Sequence, residues 1–338
     1  IDMAQRRAAI VAAQVTAGRE VDSLAVAESS VRAAAQPETR LPWSRLPAAG
    51  DGQGSSTAFR SVKYSVQDGI CIITRNRPKV LNAVNFQVQC DMIAAFEEAE
   101  KDDSVLVVVL TGAGRYFCSG ADVAGNSEKY DIPDPPRVKE IKAVLAKQDR
   151  HDASTWSDVN MYDAWINFSK PLVIAANGPA IGEGFTTLML GDIIYSSDSA
   201  FFWTPFGRFG VVPEITSSVE LPKRIGMAQA SEMILFSKRK TPDELMRAGL
   251  INDIIPAGDE FLPTVIERVR NSLELSGAPD VRLKALRLFK SMLKPQCWRE
   301  EMMAQNRKEQ ALVRVRVADG DQRKNLKYYS ASMPQKKK

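Results

Sequence analysis

The chain has 338 residues, which is enough to bury a sizeable core and fits one large domain with additions or two domains. A hydrophobic content of 44% and a charged content of 25% are ordinary for a soluble globular protein. The net charge of +4 comes partly from a terminal run of lysines, so the composition does not indicate a nucleic-acid-binding protein.

Four scattered cysteines and a single histidine restrict the possible chemistry. The cysteines form no CxxC pair, so neither a metal site nor a disulfide framework is predicted, and a reducing compartment is expected. His151 lies in a polar stretch typical of a surface loop or helix end, which disfavours Ser-His-Asp and Cys-His catalysis. No apolar run approaches the roughly 20 residues that a membrane span requires.

The chain is predicted to have three regions. Residues 1–58 form an extension and linker: they are rich in Ala, Arg and Ser, as in an organelle-targeting region, and end in "PAAGDGQGSS". Residues 59–258 form an α/β core. Residues 259–338 form a C-terminal helical region with a basic tail.

The core is predicted to begin with a hairpin and then to alternate strands with helices. "VKYSVQDGICIITRN" alternates apolar and polar residues around a QDG turn, and "NFQVQCDMIAAFEEAEKDD" carries apolar residues at helical spacing. "SVLVVVLTGAG" and the stretch from Pro171 to Ala176 are apolar throughout, as in strands buried on both faces of a parallel sheet. This order predicts an α/β fold with crossover connections.

The second half of the chain is predicted to become mainly helical. A helix is expected from about Gly184, and "DIIYSSDSAFFW" predicts another strand pair. Thr241 and the proline after it mark a helix start. The later amphipathic segments, which include "DVRLKALRLFKSMLK", are expected to pack on the body or on a neighbouring subunit.

Two glycine-containing turns follow the two buried strands. They read "GRYFCSGADV" and "NGPAIGEGF". Ligands of open α/β sheets bind beyond the carboxyl ends of the strands, so these turns are candidates to present two N–H donors to one oxyanion. The alternative is that the glycines only make tight turns, and neither segment is a phosphate-binding motif.

One carboxylate, Glu214, lies in the apolar stretch "FGRFGVVPEITSSVELP". A solvated loop residue is the simplest interpretation of it, since most glutamates are exposed. A buried position would instead raise its pKa and make it a stronger base near neutral pH.

Five ordered segments resemble the crotonase superfamily, the enoyl-CoA hydratase/isomerase fold. The resemblance extends from about Ser61 to Pro256 and implies a ClpP/crotonase-like ββα spiral with a C-terminal helical region that forms homotrimers or hexamers. The segments are "RNRPKVLNAV", "GRYFCSGADV", "KPLVIAANGPAIGEG", "GDIIYSSDSAFFWTPF" and "RKTPDELMRAGLINDIIP".

The resemblance also implies a set of site residues. The two oxyanion donors would be the backbone amides of Ala121 and Glu183, the second at a position that is commonly glycine, so the Glu183 carboxylate has to point away from the oxyanion. The expected substrate-binding residues, which contact the thioester ligand, are Lys79, Leu81, Ser119, Gly120, Ala121, Asp122, Val123, Gly182 and Phe206.

The acid and base positions point to one subfamily. Hydratases of this fold use two glutamates, whose positions here hold Thr186 and Phe206, so hydration is not expected. Glu214 instead matches the catalytic glutamate of the peroxisomal type of Δ3,Δ2-enoyl-CoA isomerase. The resemblance therefore implies an acyl-CoA substrate and a single base that moves a proton from C2 to C4, with no metal or redox cofactor.

Two alternatives remain open at this point. Another acyl-CoA enzyme of the fold, such as a dienoyl-CoA isomerase, hydratase or hydrolase, would use Glu214 or an acid among Asp152, Asp158 and Asp163, although these three are expected on the surface. A non-catalytic RNA-binding relative is compatible with the basic C-terminal helices, but no RNA-reading motif is present.

The remaining polar and aromatic candidates are given structural roles. Asp122 and Asp192 are expected to cap helices or turns, and Ser217 and Ser218 to begin a helix. The aromatic residues expected to line an acyl pocket or the core are Phe202, Trp203 and Phe206. The Ala/Arg-rich start favours the mitochondrial matrix over a peroxisome, and the terminal "KKK" differs from the peroxisomal SKL-type tripeptide.

Overall fold

The computed structural model describes residues 58–122, 130, 132–147 and 161–332. Eight strands are present in this part of the chain: β1 Val62–Gln67, β2 Ile70–Arg75, β3 Val107–Gly112, β4 Leu172–Ala176, β5 Ala180–Ile181, β6 Ile193–Ser197, β7 Phe202–Trp203 and β8 Asp253–Ile255. The α-helices are α1 Phe86–Lys101, α2 Pro136–Leu145, α3 Met161–Asn167, α4 Glu183–Thr186, α5 Phe206–Phe209, α6 Ser217–Ile225, α7 Met227–Phe236, α8 Pro242–Arg247, α9 Phe261–Glu274, α10 Pro279–Leu293, α11 Gln296–Ala318 and α12 Asp321–Ser332.

Six strands form one mixed sheet in the order β1-β2-β3-β4-β6-β8. Only β1 and β2 are antiparallel, and they are joined by the predicted hairpin turn, where Asp68 and Gly69 have φ values of 53° and 77°. The other neighbours are parallel, as their crossover connections require. The predicted α/β class with a helical C-terminal region is therefore confirmed.

The centre of the sheet is buried on both faces, as its apolar runs predicted. Every residue of β3 and β4 is buried. Helix α9 covers one face with a stripe of apolar residues at helical spacing, which includes Val265 and Val269. This covering holds the carboxyl ends of β3 and β4 at a fixed edge of the sheet.

Two predicted elements are wrong in detail. β6 and β7 do not pair with each other, because β7 turns away to form a separate two-stranded parallel sheet with β5. The helix expected from Gly184 is a short α-helical turn, α4, followed by a 3-10 helix at Thr187–Leu190. Both differences come from tertiary pairing of short apolar segments, which a local pattern does not encode.

Helix α10 is joined to the sheet by a buried ionic cluster around Asp192. The Asp192 carboxylate accepts a hydrogen bond from Leu172 N at 2.8 Å and contacts the ammonium groups of Lys290 and Lys294 at 2.8 and 2.6 Å. Burial disfavours its ionised form, but the two lysines outweigh that effect and lower its pKa to about 2. The Asp192 carboxylate thus binds the first amide of β4 rather than a local turn or helix end, and it anchors the C-terminal region.

The predicted start of helix α8 at Thr241 is confirmed as a full capping box. Thr241 Oγ1 accepts a hydrogen bond from Glu244 N at 3.3 Å, and Glu244 Oε2 accepts one from Thr241 N at 2.8 Å. We expect Thr241→Ala to lower the free energy of unfolding by about 1 kcal/mol, since a helix N–H loses its acceptor. Chemical denaturation measures this change; Thr241→Ser should restore most of the loss, and equal losses in both variants would contradict the capping role.

No helix within the described ranges is long and apolar enough to cross a membrane. The predicted extension at residues 1–58 and the end of the basic tail lie almost entirely outside the described residues, as do His151, Asp152 and Asp158. Asp163 is described, and its predicted surface position is wrong: it is fully buried in α3, where its carboxylate accepts a hydrogen bond from Asn306 of α11 at 3.2 Å.

Candidate functional site

The two glycine-containing turns meet at the carboxyl edge of the parallel strands. After β3 the chain forms a bridge between Cys118 and Ala180 of β5, and Ile181 N donates to Cys118 O at 3.0 Å. Gly182 N then donates to Trp203 O of β7 at 2.8 Å. Backbone hydrogen bonds therefore fix the two turns against each other, which is the arrangement expected beyond the strand ends of an α/β sheet.

Gly120 is required at one of the points where the two turns approach each other closely. Its φ is 93°, which only glycine adopts readily, and a Cβ there would lie 2.9 Å from Ile181 O and 3.7 Å from Glu183 N. The first turn thus passes within contact distance of the Glu183 amide.

The amides of Ala121 and Glu183 are available as donors. Val84 bonds to the residues on either side of Ala121, through Gly120 O at 2.9 Å and Asp122 N at 2.8 Å, so the Ala121 N–H is directed away from Val84. Glu183 N is the first N–H of helix α4. Within the described residues neither amide donates to a protein acceptor, and two such donors can stabilise one developing negative oxygen.

A buried ion pair stabilises the end of the first turn. Arg77 Nη2 lies 3.0 Å from Asp122 Oδ2, and both side chains are almost completely buried. Arg77 Nη1 also donates to Ala83 O, next to the residue that pairs with Ala121. The residues that Asp122 was predicted to cap lie outside the described ranges, and its carboxylate contacts Arg77.

The Glu183 side chain turns into the protein and contacts Tyr162 of α3. Its carboxylate accepts a hydrogen bond from Tyr162 Oη and is almost fully buried. Burial raises the pKa of Glu183, and the nearby Arg75 guanidinium and the Tyr162 hydrogen bond oppose the rise. The Glu183 side chain is therefore engaged with Tyr162, while its backbone amide stays available as a donor.

The carboxyl of Glu214 lies at the same turn. A Cβ added to Gly182 would lie 3.9 Å from Glu214 Oε1. Glu214 keeps part of its surface accessible, but its carboxyl is surrounded by protein, and burial, followed by the negative charges of Glu183 and Glu309, raises its pKa to about 8. The solvated-loop interpretation does not describe this environment, which suits a general base.

The other predicted site residues lie around these turns to different extents. Ser119 N donates to Leu81 O at 3.0 Å, so the first turn touches the segment after the 3-10 helix Pro78–Val80, in which Lys79 is exposed. Val123 lies outside the described residues. Thr186 and Phe206, at the two positions where hydratases carry acids, are both buried.

The aromatic candidates differ in burial: one lies in the core and another is partly exposed. Phe202 is fully buried and packs on Phe185 with ring centroids 5.7 Å apart. Trp203 is partly exposed, donates its indole N–H to Ser237 O at 2.7 Å and lies beneath the Arg239 guanidinium. Phe202 is therefore a core residue, which is one of the two roles predicted for it, the other being an acyl-pocket lining.

Sequence reasoning missed three residues that act on this site: Arg75, Tyr162 and Glu309. Arg75 is a buried cation at the end of β2 that lies over the rings of Phe117 and Trp165. Arg75 opens the segment "RNRPKVLNAV" but was given no role in the site, and Tyr162 and Glu309 lie outside the five ordered segments. A charged residue at the end of the mostly apolar strand ICIITR was the one available signal.

The chain matches a known family over most of its length. The family described as enoyl-CoA hydratase/isomerase matches residues 65–135 and 139–331. The enoyl-CoA hydratase/isomerase of Pseudoalteromonas atlantica T6c has a similar solved structure, with a TM-score of 0.64 and 26% identity, covering 81% of this chain and 99% of that chain. The predicted crotonase fold is thereby confirmed.

Curated relatives are similar at moderate identity. Enoyl-CoA delta isomerase 2 of Homo sapiens is 35% identical over 257 residues, covering 75% of this chain and 59% of that protein. The peroxisomal enoyl-CoA delta isomerase 3 of Mus musculus is 35% identical over 217 residues, covering 64% and 63%. The chain therefore spans about three fifths of the length of these relatives.

Proposed function

The chain belongs to the enoyl-CoA hydratase/isomerase family, and from this membership we propose that it is a Δ3,Δ2-enoyl-CoA isomerase. Its reaction converts 3-cis- or 3-trans-enoyl-CoA into 2-trans-enoyl-CoA during β-oxidation of unsaturated fatty acids. The observation that carries the proposal is the position of the Glu214 carboxyl, in a buried environment beside the turn that ends in the Glu183 amide.

The first step of the proposed reaction is removal of a proton from C2 by the Glu214 carboxylate. The electron pair of the C2–H bond then delocalises over the C3=C4 double bond and the thioester carbonyl, which gives a dienolate with negative charge on the carbonyl oxygen. The N–H groups of Ala121 and Glu183 would bind that oxygen, where each donor typically lowers the barrier by about 3 to 4 kcal/mol.

The second step returns the same proton at C4. Protonated Glu214 gives its proton to C4, the double bond moves to C2=C3, and the carboxylate is regenerated. One residue suffices because C2 and C4 lie within a few ångströms of each other on one face of the substrate. The reaction is redox-neutral and balanced without a metal or redox cofactor, and CoA enters only as part of the substrate.

A pKa near 8 suits this double role. A carboxyl with an ordinary pKa near 4.5 is a weak acceptor for the C2 proton, whereas burial makes Glu214 a stronger base without removing its ability to return the proton. Thr186 and Phe206 supply no second acid or base for water addition, which favours isomerisation over hydration. Asp163 does not offer an alternative acid, since it is buried against α11.

The proposed assay mixes the purified chain with a 3-enoyl-CoA and follows the ultraviolet absorbance of the conjugated 2-enoyl thioester. Appearance of this absorbance with catalytic turnover is the expected result. Absence of turnover would refute the proposal and favour a binding role, and rapid hydration of a 2-enoyl-CoA would identify a hydratase instead.

Neutralising Glu183 is expected to change the pH dependence of this activity. Glu183→Gln keeps the backbone amide and an oxygen that accepts from Tyr162 Oη, but it removes a negative charge that raises the pKa of Glu214. The acid limb of kcat/KM should therefore move to lower pH. The ratio of kcat/KM near pH 6.5 to its high-pH plateau should be about threefold larger in the variant than in the wild type. An acid limb that stays in place would show that the two carboxyls are not coupled.

Assembly and location are proposed on the family resemblance. We expect a homotrimer or a hexamer, which light scattering of the purified chain would determine. A mitochondrial or peroxisomal location follows from the proposed pathway, and a fluorescent fusion of the complete protein would distinguish the two.

A further inference from the structure

The turn that follows Glu214 has an unfavourable backbone conformation. Ile215 and Thr216 both adopt left-handed φ values, 56° and 61°. Branching at Cβ makes this region especially unfavourable, so two such residues in succession persist only when their surroundings hold them. The turn determines where the chain leaves Glu214, and its support is therefore relevant to the position of the base.

Glu309 of helix α11 provides that support. Its carboxylate accepts hydrogen bonds from Thr216 N at 2.6 Å, from Ser218 N at 3.1 Å and from Ser218 Oγ, and Glu309 is only 3% exposed. Thr216 occupies the N-cap position of α6 but makes no capping hydrogen bond with its own side chain. Glu309 supplies the missing acceptor from 93 residues away along the chain.

The backbone carbonyl of Glu214 also takes part in this cap. Ser217 N donates to Glu214 O at 3.2 Å, between the two amides that donate to Glu309. Each N–H from Thr216 to Ser218 thus has an acceptor, and together these bonds hold the Glu214 carbonyl against the start of α6.

Helix α11 also contacts α3, the helix that carries Tyr162. Asn306 donates to Asp163 of α3 at 3.2 Å, and α3 carries Tyr162, the donor to Glu183. Gln305, one turn before Glu309, donates to Ser218 Oγ at 2.8 Å. One helix therefore contacts both the turn after Glu214 and the helix that holds the Glu183 side chain.

We propose that Glu309 is a positioning residue for Glu214: it holds the turn at Ile215 and Thr216 so that the Glu214 carboxyl stays beside Gly182, the residue before the Glu183 amide. This role rests on the proposed isomerase function. Glu309 reaches no reacting atom in the proposed reaction; it acts through the backbone that follows the base.

The charge of Glu309 gives the role a second, measurable consequence. Among the described residues, the ionisable groups that interact with Glu214 are Glu183 of α4, Glu309 of α11, Tyr162 of α3 and the buried thiol of Cys118 in the first turn. Burial is the main cause of the raised pKa of Glu214, and the negative charges of Glu183 and Glu309 add to it. A neutral residue at position 309 should lower that pKa, which loss of packing alone would not do.

The test compares two variants of Glu309 with the wild-type chain. Glu309→Ala removes the acceptor and should lower kcat by about 100-fold, because a small displacement of a base has a large effect on rate, while KM stays within about twofold. Glu309→Gln keeps one acceptor oxygen and should lower kcat by about tenfold, with the acid limb of kcat/KM moved to lower pH. Hydrogen exchange of the Thr216 and Ser218 amides should accelerate at least about tenfold in Glu309→Ala.

Glu301→Gln is the matched control, since it makes the same substitution on an exposed residue of the same helix. This control should change neither kcat nor the hydrogen exchange of the Thr216 and Ser218 amides. Three results for Glu309→Ala would each overturn the positioning role while the isomerase proposal stands. They are faster amide exchange with wild-type kcat, amide exchange that does not change, and an activity loss that appears only in KM. A wild-type chain without isomerase activity would overturn the proposed function itself and, with it, any role of Glu309 in that reaction.

Discussion

Glu214→Gln is expected to lower kcat of the isomerase reaction by ~100-fold to ~10,000-fold while leaving KM almost unchanged. The amide cannot accept the C2 proton, so the variant loses general base catalysis and keeps only the contribution of the oxyanion donors. In the proposed reaction the two turns, rather than this side chain, would bind the substrate, which is why KM should be insensitive. Initial rates from the absorbance of the conjugated thioester measure both constants.

Two further variants make the result specific to the position and charge of Glu214. Glu214→Asp keeps a carboxylate but withdraws it by one methylene, so an intermediate loss is expected. Glu301→Gln removes an exposed carboxylate on helix α11 and should have no effect. Wild-type turnover in Glu214→Gln would show that another residue is the base.

The stability of Glu214→Gln provides a control for correct folding. The folded-state pKa of about 8 lies above the ordinary value of 4.5, so the native protein binds this proton more tightly than the unfolded chain does. The stabilisation from the bound proton is fully present below about pH 4.5 and is lost as the pH rises through about 8. Above that pH the wild-type chain holds a buried charge, and Glu214→Gln should melt at a higher temperature than the wild type.

The activity of the wild-type chain should itself depend steeply on pH. Glu214 must be ionised to accept the C2 proton, so kcat/KM should fall about tenfold for each unit below pH 8 and reach about one hundredth of its plateau near pH 6. This is the opposite of what an exposed glutamate would give, since such a residue remains ionised throughout this range.

A pH series of kcat/KM between about pH 5.5 and pH 9 measures the effect, because this ratio reports ionisations of the free enzyme. Circular dichroism at the same pH values separates titration from unfolding. An apparent pKa close to 4.5, or a flat profile down to pH 6, would show that the Glu214 carboxyl is not desolvated in solution.

Local sequence patterns were sufficient for the fold class, the central strands and the two turns of the site, but not for the pairing of β7 with β5 or for the short helix that begins at Glu183. The apolar runs that became β3 and β4 are buried on both faces, and a strand of that kind is recognisable from its composition alone. The turn glycines likewise follow from backbone requirements, as at Gly120, where the left-handed φ and the close contact with Ile181 O exclude a side chain. Ordered motifs then identified the crotonase fold, which the family match and the solved structures confirm.

The interactions that surround the site depended on contacts between distant segments. Asp163 sits in a polar stretch and looked exposed, yet α3 packs against α11 and buries it beside Asn306. Glu309 lies in a strongly polar helix, and nothing in its local pattern distinguishes it from the exposed Glu301 of the same helix. Burial of a charged residue is decided by its partners across the fold, which periodicity cannot specify.

The sequence by itself determined that Glu214 is an acid in an apolar segment of a chain whose motifs resemble those that supply two backbone donors in the crotonase superfamily. Only the tertiary structure decided what surrounds that acid: Gly182 beside its carboxyl, Glu183 turned away toward Tyr162, and Glu309 beneath the following turn. The physical reason is that residue type and spacing are local properties, whereas desolvation and electrostatic interaction depend on which distant groups the packed fold brings within a few ångströms.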